Sequence, residues 1–490
     1  MLKYFKNFIK HSTIYAIGNG INRAAGIVLV PLYTRVLAPS EYGALEMFYV
    51  TASVMRTFLG MMIAHATLRF YFEFDAEIDK KRIISTSLLF SIGVCLVAIA
   101  ILNIYTDSLS MFIFKTLEYK RLFNLVFMIV LMELSREISL AYLRAREKSL
   151  FYVNIAVVQL VFQICLNLYM VLILKKGIEG ILLGNLFSTF ITWVILMAHM
   201  FNYCGLNFHL QKLKILLYYC VPFIFSAITG VIISNADRVV LNNFTSLAVV
   251  GVYALAMKFG LIIRELVIDP FTLNFGQSRF AIMKQPDARD IYSRIMTYYV
   301  FTIIFLSLGI SLFAKEIVIL VASAEFQSAY HIVPFVFLPL ILNGMTYIFQ
   351  TGMLIKKKTK YTFYTSAISA VLMIIMSRIL VPKIGMYGAG LANVITAVCV
   401  CVMTWSYSRR LYPIKYEINR LLKIFFVSTV IYLLAVSFLA ENIIARVLLF
   451  ISFPLFLNLQ GFFKEEEKRR CVQLGLKARK LIYGKLGFSV

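Results

Sequence analysis

The sequence predicts an all-α, polytopic membrane protein, and three observations carry that prediction. Of 490 residues, 61% are apolar and only 15% charged, far from the balance of a soluble domain. Apolar stretches of about 20 residues, long enough to cross a hydrocarbon core of roughly 30 Å, recur along the chain. No connection between them exceeds about 22 residues, which leaves no room for a soluble catalytic domain.

Hydropathy places about 14 transmembrane helices, near 12–35, 43–65, 83–104, 122–142, 150–174, 178–201, 215–241, 248–271, 295–314, 330–354, 361–381, 386–408, 421–440 and 443–462. The first follows Lys3, Lys6 and Lys10 like a signal peptide, but its apolar run is too long, contains Asn and Arg, and has no small-residue cleavage pattern. It is expected to remain as a helix. With the N-terminus placed inside, the cytoplasmic segments collect 33 Lys/Arg, among them Arg69, Lys80, Lys81, Arg82, Lys356, Lys357, Lys358 and Lys360, and the external loops nine. That bias predicts both termini in the cytoplasm. The net charge of +25 is therefore read as topology and attraction to anionic membrane lipid, not as a nucleic-acid surface. The basic tail, 463–490, alternates Lys/Arg with Leu, Ile and Tyr and is expected to lie on the membrane as an amphipathic segment.

The chain repeats itself. G-x-x-G-x-x-x-x-N occurs at Gly177–Asn185 and at Gly385–Asn393, 208 residues apart. Gly43 and Gly251 share that offset, and Arg69-Phe70 recurs as Arg279-Phe280 at 210. Six spans separate the copies, so both keep one orientation, as in parallel-repeat transporters. The expected organisation is a lobe of helices 1–6 (residues 1–210), a second of helices 7–12 (211–412), an extra helix pair (413–462) and the tail.

Polar residues inside the spans point to a cavity. Ser12, Tyr15, Asn19, Asn22, Arg23 and Gly26 follow steps of three and four and form a stripe on the first helix. Ser226, Thr229, Gly230 and Asp237 form a similar stripe on the seventh. Arg56 and Arg264 are 208 residues apart, each 13 residues past its opening glycine, hence roughly 20 Å along its helix. With Arg23 and Lys258 they are expected to make a cationic cluster in a wet cavity lined also by Asn19 and Asn22. An intramembrane charge costs at least a few kcal/mol unless it meets water or a partner. Pairing remains the alternative: Arg23 with Glu46, and Arg264 with Asp269 or Glu265. Those three carboxylates are also candidates for ion coupling. Asp237-Arg238 reads as a structural or gating pair.

Other chemistry is missing from the pattern. No nucleotide-binding G-x-x-x-x-G-K-[ST] occurs, the five histidines are scattered, and the seven cysteines show neither zinc spacing nor CxxC. No cofactor, metal or catalytic residue is expected.

"YAIGNGINRAAGIVLVPLYTRVLAPSEYGAL", the Asp237-Arg238 pair followed by "VVGVYALAMKFG", and the G-x-x-G segments resemble the polysaccharide-export (Wzx-type, O-antigen) flippases. These belong to the MOP exporter superfamily, with the MATE antiporters and the lipid II flippase MurJ. The resemblance implies a V-shaped pair of lobes that opens to each side in turn. It implies export of undecaprenyl-pyrophosphate-linked oligosaccharide across the bacterial inner membrane without ATP hydrolysis, alongside polysaccharide polymerase machinery. It places pyrophosphate binding on Arg23, Arg56 and Arg264, which occupy helices one, two and eight, where the lipid II flippase has essential arginines. The extra pair would resemble that relative's lipid-tail groove. Two other readings stand beside it: a MATE-type antiporter, whose cationic cargo clustered arginines would repel, and a membrane enzyme such as a polymerase or acyltransferase.

Overall fold

A computed structural model describes residues 18, 20, 26–439, 441–465 and 467–469. Among them there is no strand. The helices are α1 (Val30–Val36), α2 (Pro39–Gly60), α3 (Ile63–Glu73), α4 (Glu77–Ile104), α5 (Thr106–Phe114), α6 (Lys120–Ala145), α7 (Ser149–Leu168), α8 (Gly177–Cys204), α9 (Leu210–Phe244), α10 (Leu247–Ile263), α11 (Asp269–Ile282), α12 (Ala288–Leu312), α13 (Ala314–Val321), α14 (Val333–Phe349), α15 (Thr351–Ile355), α16 (Lys360–Leu411), α17 (Ile418–Phe438) and α18 (Ile443–Leu459).

Among the described residues ten helices, counted across minor breaks, are long and apolar enough to cross a membrane. α16 is one of them, but at 52 residues it would extend about 78 Å, far beyond one bilayer. Its helical path breaks at Ile384 and Gly385, where Gly385 takes φ 55°, a conformation glycine adopts without steric penalty. Of the remaining expected spans, α6 carries Glu133, Arg136 and Glu137 in its middle, α18 has 17 residues, and the first is described only from Gly26.

Two apolar cores form among the described residues. The larger joins the buried faces of α10, α12 and α14 to those of α2 and α6. The smaller gathers α3, α4, the ends of α6 and α8, and the start of α9. α9 passes from one to the other. Leu213, Leu216 and Cys220 are buried at its start and Asn235, Asp237 and Val240 near its end, with no buried residue between. The end of α9, from Ile233 to Arg238, lines one of the cavities described below.

Candidate substrate cavity

The cavity is closed at one end by the two repeat glycines. A Cβ on Gly43 would lie 1.8 Å from the Leu247 carbonyl oxygen, and one on Gly251 2.1 Å from that of Pro39. Only glycine lets the starts of α2 and α10 approach backbone to backbone. Around this seam Tyr42 meets Phe326 edge-on. The Ser323 amide donates to the Thr34 carbonyl (3.2 Å), and Arg35 donates to the carbonyl of Leu320 (2.6 Å). Asn242 donates to the carbonyl of Ile113 (2.6 Å). The two halves of the chain are thus pinned together at the Gly43 end.

Past the seam lies a cavity of about 520 Å³ lined by Arg56, Lys258, Arg264, Glu46 and Glu265. Cavities of about 330 Å³ and 460 Å³ adjoin it, and Arg264 lines all three. The repeat-related arginines therefore do converge on one space. Their side chains are 42% and 58% exposed, so their forks face open volume. Each cation already has a carboxylate: Arg56 with Glu133 at 2.5 Å, Lys258 with Glu46 at 2.6 Å and Arg264 with Asp269 at 3.5 Å. The Lys258–Glu46 pair joins α10 to α2 across the halves.

Both arginine-bearing helices are interrupted just beyond the arginine. After α2, Met61 and Met62 take φ 43° and 57°, a left-handed conformation unfavourable for a side-chain-bearing residue. In the other half, Arg264–Ile268 forms a π-helical turn ahead of Pro270. Wider turns of this kind mark functional positions. In both halves the arginine is held beside a bend.

Three expectations need correction or fall outside view. Arg23, Asn19 and Asn22 lie outside the described residues. The alternative pairing of Arg23 with Glu46 lies outside them as well; among the described residues Glu46 pairs with Lys258. Asp237 and Arg238 do not form a side-chain pair. The Asp237 carboxylate, buried, accepts from Tyr253 (2.7 Å), Asn393 (3.0 Å) and the Arg238 backbone amide (2.8 Å), while the Arg238 guanidinium donates to the Ser234 carbonyl (3.3 Å). Adjacent residues on a helix diverge by about 100°, so the local geometry favours other partners. Of the seventh-helix stripe, Asp237 lines the 330 Å³ cavity, whereas the Thr229 hydroxyl turns back to its own helix, donating to Ser226.

Several cavity residues escaped the sequence reading. Glu133 and Arg136 come from α6, Gln159 and Gln163 from α7, and Asn185 and Thr189 from α8. The spacing of Gln159, Gln163 and Asn167, one turn apart with only apolar residues and a cysteine between them, was the available signal. Gln163 donates to Asn185 Oδ1 (2.9 Å), Asn185 to the Tyr49 hydroxyl (3.2 Å) and Tyr33 to Asn167 (3.0 Å). Arg136 donates to Gln159. Among the described residues no three His, Cys, Asp or Glu gather as a metal site.

Residues 8–274 match the family described as "Polysaccharide biosynthesis protein". No match was found among curated proteins. Among solved structures, a lipid II flippase MurJ in an inward closed conformation aligns with TM-score 0.74 at 15% identity, covering 91% of this chain and 98% of that one. A multidrug resistance MATE family transporter of the MOP superfamily aligns in its inward-facing conformation with TM-score 0.63 at 16% identity (84% and 95%). Its outward-facing conformation gives 0.58 at 14% identity (84% and 97%). At such identities the likeness establishes the fold.

Proposed function

The chain belongs to the polysaccharide biosynthesis protein family, and from that premise we propose that it is a flippase moving undecaprenyl-pyrophosphate-linked oligosaccharide across the bacterial cytoplasmic membrane. In this reading residues 1–210 and 211–412 are two six-helix lobes, 413–462 an extra pair, and 463–490 a cytoplasmic tail, with fourteen spans and both termini inside. The lobes rock about the Gly43/Gly251 seam, exposing the cavity to each side in turn.

The observation that supports it most is that Arg56 and Arg264 open into one cavity with Lys258. A pyrophosphate diester carries two negative charges through a low-dielectric slab, and guanidinium forks can bind it bidentately. The same role is assigned to Arg23. Cargo must displace Glu133, Glu46 and Asp269 from their cations, so pyrophosphate binding trades internal ion pairs for external ones. Glu46, Glu265 and Asp269 are then the carboxylates through which an ion gradient can act. The prenyl chain stays in lipid or along the apolar groove of about 300 Å³ between α12, α14 and α17.

The test is surface polysaccharide in a flippase-null strain, normalised to inserted protein. Arg56→Ala/Arg264→Ala should abolish export. Arg378→Ala should export normally, because Arg378 lines none of these cavities. Export by the double variant at the wild-type level overturns the reading.

A further inference from the structure

The end of the second half that lies away from the Gly43/Gly251 seam carries more positive charge than its ion pairs use. The chain leaves the seam near Phe326, which meets Tyr42, and α14 and α15 carry it from Val333 to Ile355, about 34 Å further on. Lys356, Lys357 and Lys358 follow, Lys360 opens α16, and Arg409 and Arg410 lie in its last turn. The break at Ile384 and Gly385 lets the two ends of α16 meet, and Tyr361 stacks on Tyr407 with ring centroids 4.9 Å apart. A Cβ on Gly352 would lie 2.3 Å from Ser408 Oγ, so α15 seats against the same end of α16.

All six of these cations are exposed. Among the described residues none of their side chains has an ion-pair partner or a hydrogen-bond acceptor. Asp287 and Asp290 flank Arg289 close by without pairing to any of them. The first half treats its cations differently. There Arg82 and Lys212 reach Asp79 (3.8 and 3.1 Å), and Arg146 pairs with Glu77.

Topology does not account for the surplus. In a parallel repeat both copies of a connection emerge on the same side and meet the same requirement for basic residues. The residues 208 positions before the six cations are Lys148, Ser149, Leu150, Tyr152, Phe201 and Asn202. One charge suffices there, where the second half has six.

The rings around the cluster set its depth. The Arg409 guanidinium lies over the Trp405 ring (5.3 Å) and that of Arg289 over the Tyr412 ring (5.1 Å). Tyr and Trp concentrate where hydrocarbon gives way to headgroups, and the exposed rings of Phe363 and Tyr364 continue toward the apolar surface of α16. The phosphate layer of a bilayer lies at that level, so a lipid headgroup reaches these cations ahead of a soluble partner.

We propose that Lys356, Lys357, Lys358, Lys360, Arg409 and Arg410 form a docking surface for the phosphate groups of anionic phospholipid. Clusters of four to eight basic residues just outside a membrane helix bind such headgroups. A zwitterionic lipid brings its own ammonium to the same cations and is held less well. The surface is separate from the cargo cavity and does not depend on what the protein transports.

The test titrates full-length protein in detergent with fluorescent phosphatidylglycerol or fluorescent phosphatidylethanolamine, and hydrogen exchange locates the bound lipid. Phosphatidylglycerol should bind roughly ten-fold more tightly, less so as salt is added, and should slow exchange at 356–360 and 409–412. Lys356→Gln/Lys357→Gln/Lys358→Gln should lose about ten-fold in that affinity, and Arg409→Gln/Arg410→Gln somewhat less. Arginine at the three lysine positions should keep the affinity, as should Lys80→Gln/Lys81→Gln/Lys148→Gln, which removes the same charge from the first half. Equal affinity for the two lipids overturns the proposal, as does slowed exchange confined to other segments. An equal loss in the first-half variant makes the effect one of net charge and overturns it too. Polyglutamate that slows exchange at these segments where phosphatidylglycerol does not would assign the surface to an acidic polypeptide instead.

Discussion

The seam at Gly43/Gly251 and the cavity wall behind it treat the internal repeat in opposite ways. At the seam the two copies supply the same residue to the same contact, each backbone filling the space the other's glycine leaves. About two to four turns deeper the copies diverge, with amides and Arg136 on the first-half wall and Lys258 and Arg264 from the second. In the proposed flippase reading, symmetry persists where the two lobes pivot on one another. In the same reading it is lost where a cargo with distinct parts is held. The arginines stand between these cases. Arg56 and Arg264 are repeat mates, but one is paired to a different helix, through Glu133, and the other to Asp269, one turn along the same segment.

The sharpest way to break the symmetric side is to add bulk at the seam. Gly251→Val must push its Cβ against the Pro39 carbonyl, 2.1 Å from the ideal position, and no side-chain rotation can relieve a backbone clash. Transport should fall at least ten-fold. A disulfide between Thr34→Cys and Ser323→Cys, whose backbones are hydrogen-bonded at 3.2 Å, should form readily in the parent and poorly in the variant. Unchanged cross-linking with full transport means the seam is not required.

A smaller effect is expected at the asymmetric tie between the halves. Glu46→Gln leaves Lys258 without its carboxylate. Removing one member of a buried pair costs about 3–5 kcal/mol. The cost should be lower here, about 1–3 kcal/mol, because Lys258 is 25% exposed to the cavity. Glu46→Met/Lys258→Met should recover most of it. Thermal unfolding in detergent reads both, and strictly additive losses would deny the coupling.

The smallest effect belongs to a region outside the repeat. Where α17 begins, Arg420 bridges Glu417 (2.8 Å) and Glu467 (2.8 Å), while Lys464 reaches Glu417 (2.6 Å) and Tyr298 donates to Glu467 (2.6 Å). Burial alone would raise both carboxyl pKa values, but hydrogen bonds from Lys464 and Thr297 to Glu417, and from Tyr298 and Arg420 to Glu467, hold them below the ordinary 4.5. With the folded values lowered, this contribution is complete at neutral pH and is lost as pH falls through those values. Corrected amide exchange at Phe462–Glu465 should therefore rise in acid, and at pH 7 in Glu467→Gln. Exchange that does not respond to either change would show that these carboxylates do not hold Phe462–Glu465 against the start of α17.

What the sequence disclosed follows from how each feature is encoded. Apolar length is additive along the chain, so the long spans were legible, although α2 begins at Pro39 and not Gly43. There Glu41 accepts from the Ala38 amide (3.0 Å), capping a polar first turn that hydropathy discounts. Repeat matches located the seam and the arginine pair because a fixed offset survives divergence of everything around it. Partners were not legible. Glu133 is 77 residues from Arg56 and Glu46 is 212 from Lys258, and nothing local distinguishes the true partner from a nearer carboxylate. The amides of α7 were passed over because each stands alone among apolar neighbours. Only their common face gives them meaning.

The central claim is that Arg56 and Arg264 together carry the pyrophosphate through the cavity, and reconstitution addresses it without the rest of the export machinery. Purified protein in proteoliposomes should flip a fluorescent prenyl-pyrophosphate-linked saccharide, scored by the fraction reachable by an impermeant quencher over time. Each single alanine variant should lower the rate at least ten-fold and Arg56→Ala/Arg264→Ala should bring it to that of empty liposomes, while Arg378→Ala matches wild type. A double variant that flips at the wild-type rate would contradict the account, leaving the two arginines as packing partners of Glu133 and Asp269.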